Sequence, residues 1–188
     1  MAINLLEIII VFVKQRIKFR AGGSEIIHAE ADKDTIGAVF LAPHFSCLID
    51  GQYETGDISL HALPLFHCAQ LHCFLMPMLY CGAENIILYR ADPLEMMKHI
   101  ESHRVTHMFA PPTVWIGILN HPEFKNYNHG SLKKAAYGAS IMPVEIIKQL
   151  SVTFKGLKLW NYYGQTEMGP VATILKPEDQ LLKTGSAG

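Results

Sequence analysis

Residues 161–170 read Asn-Tyr-Tyr-Gly-Gln-Thr-Glu-Met-Gly-Pro and follow directly on the apolar run Leu-Lys-Leu-Trp at residues 157–160. The apolar run is typical of a buried strand, and the glycines and proline after it indicate a loop at the end of that strand. The loop combines groups that can hold a nucleotide: rings that stack on a base, a glycine that lets the backbone approach, a hydroxyl and a carboxylate. From the residues alone, a plain strand-to-loop junction with surface polar groups is an equally good interpretation.

The composition is that of a globular chain. It has 188 residues, 49% of them apolar, with 16 lysines and arginines against 17 aspartates and glutamates. This length suits one domain, or part of a larger one, and the balanced charge argues against a nucleic-acid partner. The cysteines form no Cys-x-x-Cys pair, so we expect four free thiols in a cytoplasmic protein. They are Cys47, Cys68, Cys73 and Cys81.

From residue 31 onward, short apolar runs alternate with amphipathic stretches, which predicts an α/β fold with a sheet covered by helices. The predicted strands cover residues 36–41, 58–63, 84–89, 105–110, 134–137 and 157–162. The predicted helices cover residues 67–80, 93–103, 113–120 and 143–150. The helix after Asp92 has the clearest start, with Asp92 as N-cap, Pro93 in the first turn and Glu95 positioned to close a capping box. Loops at the strand ends carry the candidate site residues, where parallel sheets usually bind ligands.

Residues 1–30 form a separate segment of uncertain assignment. Residues 3–13 are almost wholly apolar and are followed by several basic residues. About 11 apolar residues are too few to cross a bilayer comfortably, and a secretory signal would place the basic residues first. We favour a buried helix or strand here, with an interfacial membrane segment and a non-native extension as alternatives.

Three motifs resemble those of the adenylate-forming superfamily, which includes acyl-CoA synthetases, adenylation domains of peptide synthetases and luciferases. They are Leu-Pro-Leu-Phe-His at residues 63–67, Tyr-Gly-Ala-Ser at 137–140 and Tyr-Gly-Gln-Thr-Glu-Met-Gly-Pro at 163–170, in family order. The resemblance covers residues 31–188 and implies a partial AMP-binding domain. Its fold would be part of the large N-terminal domain of such an enzyme, a mostly parallel sheet flanked by helices. The motif at residues 63–67 favours the branch of fatty-acid and other acid-CoA ligases.

The resemblance implies a reaction and its small-molecule partners. A carboxylic acid, most readily a fatty acid, would be activated by ATP as an acyl-adenylate and then transferred to coenzyme A, with Mg²⁺ as the metal. Because two anions must approach each other, the site needs cationic and hydrogen-bonding groups that neutralise the charge developing in the transition state.

The resemblance also assigns roles to individual residues. Tyr163 would stack on adenine, Thr166 would contact the α-phosphate, and Glu167 would hold Mg²⁺, which prefers oxygen ligands. His67 would gate the carboxylate at the mouth of the acyl site, so the predicted catalytic residues are Thr166, Glu167 and His67. The predicted nucleotide-binding residues are Gly138, Ala139, Ser140, Asn161, Tyr162, Tyr163, Gly164, Gln165 and Thr166. Residues 112–115, Pro-Thr-Val-Trp, resemble the lining of the acyl pocket, and plain core is an equally good interpretation.

One family motif is absent. Family members have a Ser/Thr/Gly-rich loop with a lysine that binds the β- and γ-phosphates; here residues 34–41 resemble the strand before it and residues 44–48 the helix after it, with only Ala42 and Pro43 between. The chain also stops before the family's ribose-binding aspartate and mobile C-terminal domain. We therefore expect an exposed sheet edge and little or no catalysis by this chain alone. The second hypothesis is a non-catalytic remnant that binds a nucleotide or a protein.

A third hypothesis, of a different class, is a structural zinc site. The candidate ligands fall within 13 residues and are His61, His67, Cys68, His72 and Cys73. Their spacing matches no zinc module, and Pro64 interrupts a shared helical face. His99 and His103 lie one helical turn apart, without the carboxylate of a His-Glu-x-x-His motif. Zinc therefore ranks behind the other two hypotheses.

Overall fold

The computed structural model describes residues 17–21, 26–29, 38–168 and 170–188, and an eight-stranded sheet forms its centre. The strands are β1 (Ile17–Ala21), β2 (Ile26–Ala29), β3 (Ile58–His61), β4 (Glu84–Ile87), β5 (His107–Phe109), β6 (Lys134–Gly138), β7 (Lys158–Tyr163) and β8 (Thr173–Leu175). Their order across the sheet is β2-β1-β4-β3-β5-β6-β7-β8, and only the outer strands β2 and β8 pair antiparallel to their neighbours. The predicted α/β fold with a mostly parallel sheet is confirmed.

Helices cover both faces of this sheet. They are α1 (Ala38–Asp50), a π-helical segment (Ala69–Leu75) that continues into α2 (Met76–Cys81), α3 (Pro93–Ser102), α4 (Pro112–Leu119) and α5 (Val144–Thr153). Helix α3 begins where predicted, and Asp92 Oδ1 accepts a hydrogen bond from the Glu95 backbone N–H at 3.1 Å. Such a cap satisfies a backbone donor that has no partner within the helix. The predicted capping box is not closed, because the Asp92 backbone N–H donates to the Arg90 carbonyl and the Glu95 carboxylate pairs with Lys98.

Each face of the sheet has its own hydrophobic core, because successive residues of a strand point to opposite faces. On the first face, side chains of the central strands pack against α3, α4 and α5. This core includes Leu60, Ile86, Met108, Leu159, Met97, Trp115 and Leu150. On the second face, strand side chains pack against α1, the π-helical segment and α2. This core includes Phe109, Trp160, Tyr162, Cys47, Phe74 and Met78.

The amino ends of the central strands are joined by ionic contacts. Lys134, at the start of β6, is buried and lies 2.8 Å from carboxylate oxygens of both Asp57 and Glu54. Asp57 is also buried, and it accepts a hydrogen bond from the Thr106 hydroxyl just before β5. These contacts hold the amino ends of the central strands together. The loops that carry the candidate site lie at the opposite, carboxyl ends of these strands.

The prediction of a strand over residues 36–41 is wrong for residues 38–41, which form the first turn of α1. Residues 36 and 37 lie outside the described residues. A short apolar run suits a buried strand or a buried helix, and alanine and leucine are strong helix formers. Helix α1 continues through Pro43 to Asp50, so the described chain forms no loop between Leu41 and His44.

The remaining differences between prediction and structure lie toward the two ends of the chain. Strands β1, β2 and β8 were not predicted, and the apolar residues 3–13 lie outside the described residues. The sheet edge at β8 is only three residues long and is partly covered, since the Thr173 hydroxyl donates to the Ala187 carbonyl at 2.7 Å. Within the described ranges, each helix is too short or too polar to span a membrane.

Candidate functional site

The loops that follow β3, β6 and β7 enclose a cavity of about 590 Å³ at the carboxyl ends of these strands. That volume suits a nucleotide-sized ligand. The predicted site residues in its wall are His67, Ala139, Ser140, Asn161, Tyr162, Tyr163, Gly164 and Gln165. The wall does not include Gly138, Thr166 or Glu167. The structure therefore brings most of the predicted residues together around one cavity.

The loop after β6 makes room for close approach by a ligand. A Cβ atom on Gly138 would collide with the Tyr162 carbonyl oxygen of β7, so only glycine allows the two strands to pair here. Ala139 follows in the left-handed region with φ of 66°, a conformation that costs a residue with a side chain about 1–2 kcal/mol. Strain of this kind is concentrated at binding and catalytic sites. After this turn, Ser140 and Ile141 line the cavity.

The neighbouring tyrosines at the end of β7 have different environments. The Tyr162 ring packs 4.9 Å from Phe74 in the second core, and its hydroxyl shares a 2.8 Å hydrogen bond with the Tyr53 hydroxyl. Burial raises the pKa of Tyr162 well above its ordinary value, so this side chain is a neutral core group. Tyr163 points the other way and is 47% exposed. Of the two rings, Tyr163 is the one available to stack on a base.

Gly164, which follows β7, lies tightly against Pro170 and Val171, which precede β8. A Cβ atom on Gly164 would collide with the Pro170 carbonyl oxygen and would lie 2.8 Å from the Val171 Cα atom. The Ala172 backbone N–H donates to the Tyr163 carbonyl at 2.9 Å and closes the turn between the two strands. Close backbone contact therefore explains why glycine occupies position 164.

The predicted phosphate and metal residues extend from this loop. Thr166 Oγ1 lies 3.1 Å from the Cys68 Sγ atom, which connects the loop after β7 to the loop after β3. Glu167 is exposed, and no side chain or backbone group of the described residues pairs with its carboxylate. A carboxylate without a protein partner fits a magnesium ion, which binds one or two carboxylates together with phosphate oxygens and water.

His67 is an exposed residue at the edge of the cavity. Its Nδ1 atom accepts a hydrogen bond from the Ala69 backbone N–H at 3.2 Å. In the neutral ring this places the proton on Nε2, because one ring nitrogen accepts while the other donates. His67 can therefore offer an N–H donor to an anionic group.

A buried polar chain beneath His67 was missed by the sequence analysis. His61 accepts from Gln70 Nε2 at 2.6 Å and donates to Asn85 Oδ1 at 2.8 Å, which ties the π-helical segment to β3 and β4. Burial lowers the pKa of His61 to about 4, despite the opposing effect of Asn85, so the ring is neutral near pH 7. Gln70 Oε1 is buried and accepts no hydrogen bond from the described residues. The only signal in the sequence was the presence of two polar residues, His61 and Asn85, within strands predicted to be apolar.

The C-terminal segment was also missed as part of the wall. Gln180 is buried, accepts from the Tyr137 hydroxyl at 2.9 Å and donates to the Leu175 carbonyl at 3.0 Å. Burial raises the pKa of Tyr137 to about 12. Residues 184–187 complete this side of the cavity. Tyr137 and Gln180 are 43 positions apart, so no local pattern could have joined them.

The structure decides two of the alternatives. Trp115 is fully buried and donates to the Ala136 carbonyl at 3.2 Å, Thr113 is exposed, and none of residues 112–115 lines the cavity, so Trp115 is a core residue. The four cysteines are free thiols, as predicted. Across the ranges that the structure covers, no group of three or more His, Cys, Asp or Glu side chains is placed to hold a metal, so the zinc hypothesis finds no site there.

Comparison with known proteins identifies the family to which this chain belongs. The profile of the AMP-binding enzyme family matches residues 37–188, and the chain belongs to that family. It is 38% identical over 118 residues to the long-chain-fatty-acid–CoA ligase of Bacillus subtilis (strain 168), covering 63% of this chain and 21% of that protein. It is 30% identical over 141 residues to a feruloyl-CoA synthase of an Amycolatopsis species, covering 75% of this chain and 28% of that protein.

Solved structures agree with the family assignment. The N-terminal domain of FACL13 from Mycobacterium tuberculosis superposes with a TM-score of 0.73 at 26% identity, covering 79% of this chain and 37% of that one. The predicted membership of the adenylate-forming superfamily, in its acyl-CoA synthetase branch, is confirmed. The chain spans between 21% and 28% of the length of the curated relatives described above.

Proposed function

We propose that this chain forms the nucleotide- and acid-binding wall of an acid–CoA ligase. The enzyme would activate a carboxylic acid with ATP as an acyl-adenylate and transfer the acyl group to coenzyme A. The observation that supports this most strongly is the single cavity in which an exposed Tyr163 ring, the strained Ala139 turn and His67 converge. These residues come from three separate loops, and a plain strand-to-loop junction does not require them to meet.

The proposed acid is a fatty acid. Apolar side chains form much of the cavity wall, and they include Phe74, Phe109, Ile141, Met142, Val144 and Ile147. An alkyl chain in contact with them would gain about 0.8 kcal/mol for each methylene group removed from water. His67 at the edge of the cavity would then donate its Nε2–H to the carboxylate of the acid.

The proposed roles are those that the family resemblance implies, and the positions of most of the groups around the cavity support them. Tyr163 stacks on adenine, the backbone of Gly138 to Ser140 lies along it, and Thr166 donates its hydroxyl to the α-phosphate in exchange for its contact with Cys68. Asn161, Gly164 and Gln165 complete the nucleotide side of the wall. Tyr162 supports the site from the core.

The first chemical step joins two anions. A carboxylate oxygen attacks the α-phosphorus, a carbon–oxygen–phosphorus linkage forms, and the bond to pyrophosphate breaks. In the second step the thiol of coenzyme A loses its proton to water, its sulfur attacks the acyl carbon, and AMP leaves. Glu167 would hold Mg²⁺, which when bound supplies positive charge to the phosphate oxygens. The proposal includes a cytoplasmic location, with which the four free thiols agree.

A second candidate is nucleotide binding without chemistry. The observation that favours it is the continuous helix α1, which leaves no room between Leu41 and His44 for the family's phosphate-binding loop. In this case the cavity would retain AMP, and no acyl-adenylate would form.

Two measurements on the purified chain separate these candidates. Calorimetric titration with AMP should give saturable binding in both cases, and it should weaken in Thr166→Ala. We expect little or no release of pyrophosphate from ATP with a medium-chain fatty acid and Mg²⁺ by this chain alone, but only the ligase can give any, and Glu167→Gln should reduce it. AMP binding without acid-dependent pyrophosphate release supports the second candidate. No AMP binding at all contradicts both.

A further inference from the structure

Two histidines meet at the C-terminal end of α3, remote in sequence from the motifs that form the cavity. His99 lies in the last turn of this helix and His103 is its C-cap residue, so they are one turn apart. Their Nδ1 atoms are 3.3 Å from each other, and both residues are partly buried. Neither residue lines the cavity.

We propose that His99 and His103 chelate a divalent transition metal of the borderline class, such as Zn²⁺ or Ni²⁺. Zinc binds histidine nitrogen at about 2.0–2.1 Å and prefers a tetrahedral arrangement. If both nitrogens bind one ion at this bond length with a tetrahedral nitrogen–metal–nitrogen angle, the two nitrogens lie about 3.3–3.4 Å apart. The observed separation of 3.3 Å is therefore the span that one ion requires, reached without moving the helix.

The end of α3 suits a bound cation. The C-terminal end of a helix carries a partial negative charge from its unpaired carbonyl groups. Burial lowers the pKa of His99, and the neighbouring His103 and Lys98 act in the same direction while Glu95 opposes them. A neutral imidazole is the form that binds a metal. Lys98 is itself engaged 2.8 Å from Glu95, which limits its repulsion.

Two hydrogen bonds compete with the metal. The first joins the Nδ1 atoms of His99 and His103 themselves at 3.3 Å, so the ion must replace the proton that the two rings share. The Ser102 hydroxyl lies 2.9 Å from His103 Nδ1, the same atom that faces His99. Metal binding requires this hydroxyl to turn away and leave the nitrogen lone pair free. Removing the hydroxyl should therefore strengthen metal binding, an effect that a non-specific metal contact elsewhere on the surface would not show.

The protein would supply two of the ligands and water the others. Within the described part of the chain, no third His, Cys, Asp or Glu joins a group of metal ligands. Such a chelate is exchangeable and moderate in affinity, unlike a structural zinc site, where four protein ligands close the coordination shell. Because the site is independent of the cavity, its test is independent of the proposed function.

The test is calorimetric titration of the purified chain with NiCl₂ and with ZnCl₂ at pH 7.5. We expect one saturable site whose occupation raises Tm. His99→Ala and His103→Ala should each weaken that site at least tenfold, whereas Ser102→Ala should tighten it severalfold. The matched control is His121→Ala, since His121 is bonded to the Glu123 backbone N–H outside the pair.

Lowering the pH to 5 should abolish the binding as the imidazoles take up protons. Circular dichroism of each variant checks that α3 has formed, and either single histidine variant is sufficient for the test. Metal affinity that is unchanged in both histidine variants, or the absence of a saturable site in the unaltered chain, would overturn the proposal.

Discussion

Two adjacent tyrosines provide the sharpest test of the proposed site, because one is buried in the core and the other is exposed at the cavity. Tyr163→Ala removes a ring that is 47% exposed at the cavity, whereas Tyr162→Phe removes only a hydroxyl buried in the second core. The two changes should therefore separate ligand affinity from stability. Each variant serves as the control for the other.

The expected magnitudes follow from the contacts. Stacking of a base on an aromatic side chain contributes about 1–3 kcal/mol when measured by alanine substitution. Tyr163→Ala should thus weaken AMP binding by roughly 5- to 150-fold, since each 1.4 kcal/mol is a factor of ten. A surface ring contributes little to the free energy of unfolding, so Tm should change by less than in Tyr162→Phe.

For Tyr162 the cost falls on stability. Its hydroxyl is 2.8 Å from that of Tyr53, which also donates to the Cys73 carbonyl at 3.1 Å. Tyr162→Phe leaves the Tyr53 donor satisfied, so the loss is that of one ordinary hydrogen bond, about 0.5–1.5 kcal/mol. At about 2–4 °C per kcal/mol for a chain of this size, Tm should fall by a few degrees, and AMP affinity should stay within twofold.

Calorimetry with AMP and a thermal unfolding scan measure both quantities on the same samples. If Tyr162→Phe weakens AMP binding as much as Tyr163→Ala does, the assignment of the two rings is wrong. If Tyr163→Ala leaves the affinity unchanged, adenine does not stack there, and the nucleotide side of the proposed function fails.

Three further changes test the frame of the site. Gly164→Ala should cost about 1–3 kcal/mol by overpacking against Pro170 and weaken AMP binding, as measured by Tm and calorimetry; unchanged values would contradict the contact. Lys134→Met should cost about 3–5 kcal/mol in urea unfolding, because Asp57 stays buried and unpaired, and adding Asp57→Asn should restore part of the loss. The pKa of His61 falls from 6.5 to about 4 on folding, so the unfolded state binds the proton first as the pH is lowered. The free energy of unfolding should therefore decrease by roughly 3 kcal/mol between pH 6.5 and pH 4. The unfolding free energy of His61→Gln should depend less steeply on pH over this range.

Local signals predicted much of the fold. The start of α3 carries an N-cap, a proline and a glutamate at fixed spacing, and the helix begins where these residues place it. The strands at residues 58–61, 84–87 and 158–163 are apolar runs bounded by turn residues, and each lies within two residues of its predicted bounds. Where capping or turn residues mark the start or end of a helix or strand, a single sequence is enough to predict that element.

Other features depend on contacts between distant residues. The run at residues 38–41 is as apolar as a strand, and a short apolar run does not by itself distinguish a strand from the helix that it forms. The separate environments of Tyr162 and Tyr163 require the register of β7, which the sequence leaves uncertain by one residue, and one residue reverses the two faces. The wall contributed by Gln180 depends on a contact across 43 positions.

The site and the ionic contacts stand at opposite ends of the same strands, and this division explains why the cavity can hold strained backbone. Strand β6 begins at Lys134, which is fixed by Asp57 and Glu54, and ends at Gly138 and the left-handed Ala139. A conformation that costs about 1–2 kcal/mol persists only when the surroundings determine it fully. The ion pairs at the start of β6 and its pairing with β7 along residues 134–138 supply such surroundings. The backbone geometry of the cavity therefore depends on residues at the amino ends of the strands, which would not contact the ligand.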